Sequence, residues 1–160
     1  PADGRISAIE RVDAHEALDG APAVVVRIFL SVLDVHLNRA PATATVRWTR
    51  HRPGMYLDAR SEESARVNES NLIALETGDG TRIGVRQVSG AIARRIVCPI
   101  DEGDVLHRGD RFGMIKFGST TELVVPDVEG TSVRVEVGAR VTGGVTVLVR
   151  LPDGKASIPR

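Results

Sequence analysis

The step Gly118-Ser119 closes the stretch R-F-G-M-I-K-F-G-S-T, Arg111 to Thr120, and is the chain's single Gly-Ser dipeptide. A serine hydroxyl is a weak nucleophile until a base takes its proton. A glycine in front of it leaves the adjoining carbonyl unshielded and free to adopt backbone conformations closed to other residues. Taken alone, the pair reads either as the plain end of a strand or as a reaction centre, and the dipeptide does not choose.

A base is on offer in F-L-S-V-L-D-V-H-L-N-R-A-P, Phe29 to Pro41. Asp34 and His36 are two apart, so on an extended segment they share a face. A carboxylate beside an imidazole fixes its tautomer and raises its basicity, which general-base work requires. The same pair suits a structural histidine hydrogen-bonded in a turn, for which Asn38 and Pro41 provide the setting. His15, His51 and His107 stand in polar, loop-like surroundings and read as solvated surface residues. Asp3, in P-A-D-G at Pro1 to Gly4, reads on its own as a turn aspartate. Cys98, the one cysteine, follows Ile96-Val97 and reads as a buried structural thiol; it excludes an internal disulfide and a cysteine-built metal site.

The elements that must position these residues are short. Val, Ile and Thr cluster in runs broken by Gly, Pro and Asp, which predicts strands at Arg5-Glu10, Ala23-Leu30, Thr43-Trp48, Asn71-Glu76, Arg82-Val88, Arg94-Cys98, Arg111-Lys116, Thr121-Val125, Ser132-Val137 and Val145-Leu151. E-T-G-D-G-T, Glu76 to Thr81, is a hairpin signal. Helical periodicity is confined to a short piece near Ser61-Asn68, inside the polar insertion Ser61 to Asn71. A repeat sharpens the picture. Gly103, Leu106 and Gly109 follow the same spacing as Gly138, Val141 and Gly144, an apolar residue bracketed by two glycines and leading to a strand. Such turns fold an apolar tip back onto a sheet. The expectation is a mainly β fold, a compact β-barrel or sandwich with glycine-turn repeats like those of barrel-sandwich hybrids, and at most one or two short helices.

Composition sets the outer bounds. The 160 residues suit one domain, and 42% apolar with 26% charged residues is ordinary for a soluble globular protein. Zero formal net charge gives no hint of a nucleic-acid partner. Lys116 and Lys155 are the only lysines among 21 basic residues; the arginines suit planar contact with phosphate or carboxylate, and genomic base composition explains them equally well. No signal peptide is visible. The longest near-apolar run, Ala21 to Leu33, carries Arg27 and is too short to span a bilayer, so the protein is expected to be soluble or peripheral.

Taken in order, P-A-D-G-x-I, F-L-S-x-x-D-V-H-x-N-R-A-P, N-x-x-N-L-I-x-L-E-T, Q-V-S-G-x-I-A-R-R-I-V-C and E-G-D-x-L-x-R-G-D-R-F-G-M-I-x-F-G-S resemble the phosphatidylserine decarboxylase family in its short prokaryotic form, from Pro1 to about Val149. The resemblance implies a single domain over 1–160 that cuts itself between Gly118 and Ser119. A β-chain 1–118 and an α-chain 119–160 then stay associated, and Ser119 becomes a covalent pyruvoyl group. It implies a catalytic set of Ser119, His36 and Asp3, with no metal and no added coenzyme. The pyruvoyl ketone forms an imine with the serine amine of phosphatidylserine, and CO2 leaves to give phosphatidylethanolamine. The expected setting is the cytoplasmic face of the cell membrane, held peripherally, with a homo-oligomer left open.

Two departures accompany the resemblance. One branch of the family carries a second histidine where this chain has Arg39, and arginine cannot serve as a base at neutral pH. Arg39 and Asp34 are instead the expected substrate-binding side chains, Arg39 through phosphate or carboxylate. Relatives usually carry additional, often hydrophobic chain before P-A-D-G; the expectation is that either the sequence is truncated or membrane contact rests on loops such as His51-Tyr56 with Trp48 nearby. Three rival readings remain. A lipoyl- or biotinyl-type carrier needs an exposed hairpin lysine, which neither Lys116 nor Lys155 provides. A degenerate relative would bind anionic lipid without maturing. A pyruvoyl decarboxylase could act on another serine-type substrate.

Overall fold

Short apolar runs fold as strands throughout the computed structural model, which describes residues 1–91, 95–116 and 118–152. In chain order these are β1 (Gly4–His15), β2 (Ala21–Leu30), β3 (Leu37–Arg39), β4 (Ala44–Arg52), β5 (Ser70–Thr77), β6 (Arg82–Val88), β7 (Ile96–Val97), β8 (Val105–Leu106), β9 (Arg111–Ile115), β10 (Ser119–Pro126), β11 (Ser132–Val133), β12 (Arg140–Val141) and β13 (Val149–Arg150). Helix among the described residues amounts to a 3-10 turn at Glu16–Leu18 and one α-turn, α1, at Ser64–Val67. Eight strands form one sheet curled into a half-barrel, in the order β12-β1-β2-β10-β6-β5-β4-β8; β3-β9-β7 and β11-β13 form two smaller sheets. The mainly β expectation holds.

Side-chain alternation decides the faces. On β2, Val24, Val26, Ile28 and Leu30 point into the curl and join Ile6, Val46, Ile73, Leu75, Ile83, Val85, Leu123 and Val125 in the main core. Their neighbours Ala23 and Val25 face outward, where Leu18 of the 3-10 turn covers them together with Val124. Both faces of β2 are thus covered, so the strand reads as a nearly continuous apolar run.

The glycine repeat closes the sheet. Gly103, Gly109, Gly138 and Gly144 have φ between +79° and +92°, a region in which a β-carbon is strained. The bracketed residues Leu106 and Val141 are both buried in the main core. Leu106 lies on β8, paired with Ala44 at one edge of the large sheet, and Val141 on β12, paired with Gly4 at the other. Arg39 joins the two turns: its Nη1 donates to the Gly109 carbonyl at 2.9 Å, and its Cδ packs over Gly144.

The strands β3, β8 and β12 were not foreseen, because two- or three-residue strands carry no period of their own and exist through partners far along the chain. The expected strands Ser132-Val137 and Val145-Leu151 shrink to the β11–β13 pair. Of Arg94-Cys98 only Ile96–Val97 forms a strand; Arg94, Phe117 and Lys155 lie outside the described residues. His15 also departs from expectation. It is half-buried at the end of β1, where Nδ1 accepts from the Ala17 N–H at 3.1 Å, and burial lowers its pKa below 6.5 against the opposing pull of Glu122 and Glu16. His51 and His107 are exposed as expected.

Candidate active site

Ser119 opens β10 opposite Leu30 of β2, and neither is accessible to solvent. Gly118 before it has φ +61°, a left-handed conformation that favours glycine. The turn at Gly118 directs its N–H to His36, whose Nε2 accepts it at 3.0 Å. A ring nitrogen that accepts is unprotonated, so the neutral ring carries its proton on Nδ1. His36 is held by its own strand edge: its carbonyl accepts from the Ile115 N–H at 3.1 Å, and Leu37 pairs with Met114.

Asp34 shares this corner. Its carboxylate accepts from the Ser31 N–H and from Arg140 Nη2, both at 2.8 Å. Burial alone would raise its pKa; the Ser31 backbone and hydroxyl, with Arg140 and His36 nearby, outweigh this and hold it below the ordinary carboxylate range. An anion is thereby maintained beside the His36 ring. Asp3 sits at the start of the adjoining strand. Its neighbour Pro1 accepts from the Arg39 N–H at 2.8 Å, and its carboxylate lies against Gly143. The structure brings His36 and Asp34 to the Gly118-Ser119 pair and places Asp3 beside the Arg39 end of β3. Arg39 and Asp34, expected to hold substrate, both have protein partners, Gly109 for the one and Ser31 and Arg140 for the other.

A cavity of about 310 Å3 with mainly apolar walls reaches Gly118, lined by Phe29, Val32, Ala59, Arg60 and Ala91. Arg60 at its rim holds Asp58, whose pKa falls to about 2. Ser119 does not line it. A larger cleft, about 360 Å3, lies farther along the outer face of the sheet among Arg27, Arg86, Glu10 and Glu122. These charges pair with one another, with Arg27 to Glu122 at 2.8 Å, so the smaller cavity is the better candidate for chemistry.

Features that single residues do not announce complete the site. Asn38 donates to Thr121 Oγ1, Gln87 to Asn38 Oδ1 and Asn71 to Gln87 Oε1, at 2.9, 2.9 and 3.1 Å. This buried chain fastens β3 to the inside of the large sheet and so fixes the entry of His36. Cys98 at its far end is half-buried, and burial pushes its thiol up to about 11, which leaves it protonated and inert at neutral pH. Two buried side-chain atoms lack a hydrogen-bond partner among the described residues: Ser119 Oγ and Ser89 Oγ. Ser89 lies in Q-V-S-G, a segment whose sequence stands out, but its nearness to Ser119 depends on strand register.

The sequence profile described as phosphatidylserine decarboxylase matches residues 1–149. Among similar proteins, the phosphatidylserine decarboxylase proenzyme of Gluconacetobacter diazotrophicus is 43% identical over 94% of this chain and 67% of its own length. Those of Magnetococcus marinus and Rhodopirellula baltica are 42% and 44% identical, over 98% and 96% of this chain and 70% and 64% of theirs. The chain thus spans about two-thirds of the length of these relatives.

Proposed function

The chain belongs to the phosphatidylserine decarboxylase family, and from that premise we propose that it is a proenzyme which cuts its own Gly118-Ser119 bond and, once cut, converts phosphatidylserine to phosphatidylethanolamine and CO2. The observation that carries the proposal is the contact of His36 Nε2 with the Gly118 N–H, next to a serine hydroxyl that is buried and unpartnered among the described residues.

In the first step Ser119 Oγ adds to the Gly118 carbonyl carbon while its proton passes to His36 Nε2. Collapse breaks the Gly118–Ser119 C–N bond, the nitrogen takes the proton, and an ester joins the two residues. Loss of the Ser119 α-proton then expels the Gly118 carboxylate and leaves dehydroalanine, which hydrolyses to the pyruvoyl group and ammonia. The site fits that outcome. Gly118 has the left-handed backbone that only glycine adopts readily, and Ser119 does not line the cavity, so the cut itself would open the path to residue 119. When formed, the pyruvoyl group supplies a conjugated carbonyl that takes up an amine and accepts the electron pair left by departing CO2.

The protein's own groups do the rest. His36 Nε2 carries the proton that replaces CO2 on the substrate α-carbon. Asp34 keeps an anion beside the ring. Asp3 keeps its part in the self-cleavage relay on the family motif P-A-D-G alone. Val32, which lines the cavity, and its sequence neighbours Leu33 and Val35 are exposed at 49, 92 and 54%, and Met55 and Tyr56 are exposed on the loop after β4. This apolar rim is our proposed contact with a cytoplasmic membrane surface, where acyl chains stay in lipid while the head group enters. Trp48, half-buried beneath Arg50 at 4.7 Å, does not join it.

Intact mass of the protein held near neutral pH tests the proposal. Two pieces divided between Gly118 and Ser119, the smaller with a borohydride-reducible ketone at its N-terminus, together with CO2 release from phosphatidylserine vesicles, are the expected result. A single persistent species of 17.2 kDa leaves a lipid-binding relative that does not mature.

A further inference from the structure

The antiparallel ladder of β6 and β10 pairs Val85 with Leu123, Gln87 with Thr121 and Val88 with Thr120. Residues opposite one another in such a ladder point to the same face. Leu123 and Val85 enter the main core, and Thr121 and Gln87 both bond Asn38, so odd-numbered residues of both strands face inward. One rung beyond Val88–Thr120, the same register sets Ser89 against Ser119, with both hydroxyls directed inward. Each is fully buried, and neither finds a hydrogen-bond partner among the described residues. A buried, unsatisfied hydroxyl destabilises the folded chain, and such groups persist where chemistry uses them.

The next rung is closer still. Gly90 lies against Gly118, so near that a β-carbon on Gly90 would fall 1.9 Å from the Gly118 carbonyl oxygen. That oxygen is the atom that becomes negative when Ser119 attacks, and it lies against the backbone of Gly90, the residue after Ser89. We propose that Ser89 is the oxyanion donor of self-cleavage: its O–H, idle while the carbonyl is planar, donates to the Gly118 oxygen as the Ser119 Oγ–Gly118 carbon bond forms and the carbonyl π pair moves onto oxygen. Collapse restores the carbonyl as the C–N bond breaks, and the Ser89 proton never transfers. This rests on the self-cleavage reading above and adds to it a group that acts on the first step alone. A donor made available only to the charged state lowers the barrier without stabilising the resting chain.

The test uses the full chain made by pulsed cell-free synthesis, with cleavage followed by intact mass. Ser89→Ala is expected to slow appearance of the two pieces by about 100-fold, with an unfolding midpoint equal to or above that of the native chain. Ser89→Cys, nearly isosteric with a weak donor, is expected to fall between them. Hydroxylamine, which cleaves the ester, should hasten division of the native chain and fail to restore the native rate in Ser89→Ala, because there ester formation is itself the slow step. Cleavage of Ser89→Ala within threefold of native, or its restoration by hydroxylamine, overturns the role of Ser89 and leaves self-cleavage standing. A native chain that stays whole overturns both.

Discussion

Glu122 and Ser119 lie three residues apart on β10, between the same two strands, at 3 and 0% exposure. The Glu122 carboxylate faces outward and receives Arg27 at 2.8 Å and Arg86 at 3.4 Å, one from each neighbouring strand. The Ser119 hydroxyl faces inward and receives nothing among the described residues. Burial alone therefore does not mark a functional group. What separates the two is whether the fold has already answered the polar atom: the answered one ties strands together, and the unanswered one is left for the chemistry proposed above.

That contrast can be broken from either end. Ser119→Ala should abolish division altogether, with the chain remaining at 17.2 kDa by mass while its urea midpoint stays level or rises. Gly90→Ala comes next. Its new β-carbon would meet Gly118 backbone atoms that cannot swing aside, so cleavage should slow at least ~100-fold and stability fall by about 1–3 kcal/mol; a native rate of cutting would show that the Gly90 approach is not part of the site. Glu122→Gln should show the reverse pattern. It leaves Arg86 without its anion and Arg27 with only the longer contact to Glu10, which should cost about 3 kcal/mol by denaturant titration, yet the folded fraction should divide at the native rate; slowed cutting in fully folded protein would mean that the two ends of β10 are coupled.

The mildest effect is a pH dependence on the outer face. Burial lowers the His15 pKa, so below pH 6.5 the unfolded chain binds the proton more readily than the folded one. Stability from this residue is then complete above pH 6.5 and declines as pH falls toward the folded-state value. Denaturant midpoints at pH 7.5 and 5.5 should differ less in His15→Gln than in the native chain, and an unchanged difference would remove His15 from the account.

The long strands were legible because period and turn chemistry agree: Arg82-Val88 forms with the boundaries expected, and α1 falls within Ser61-Asn68. The glycine repeat was legible as turns, but not as the clasp that brings opposite sheet edges to Arg39, since that depends on residues about 70 and 105 positions away. Arg39 also illustrates a limit of residue type, because a guanidinium fits a backbone carbonyl as readily as a phosphate. In the site, Gly118, Ser119, His36 and Asp34 could be named from spacing and from motif. Ser89 and Gly90 could not, although they stand in a conspicuous segment. Their relevance lies in a one-residue extension of the β6–β10 register, and a slip by one would have turned Ser89 outward.

The place of β10 in the sheet governs what happens after division. It is an interior strand, paired along eight positions with β2 and along five with β6, both of which lie on the other side of the Gly118-Ser119 bond. Releasing the smaller fragment would mean drawing out the midrib of the sheet, so its escape should be as slow as global unfolding. Refolding meets a different rule. The whole chain folds unimolecularly at any dilution, whereas the divided one must find its other half, and its melting point should rise with concentration. On the proposed self-cleavage, maturation would exchange a protein that can repair itself for one whose working life is set by its rate of unfolding.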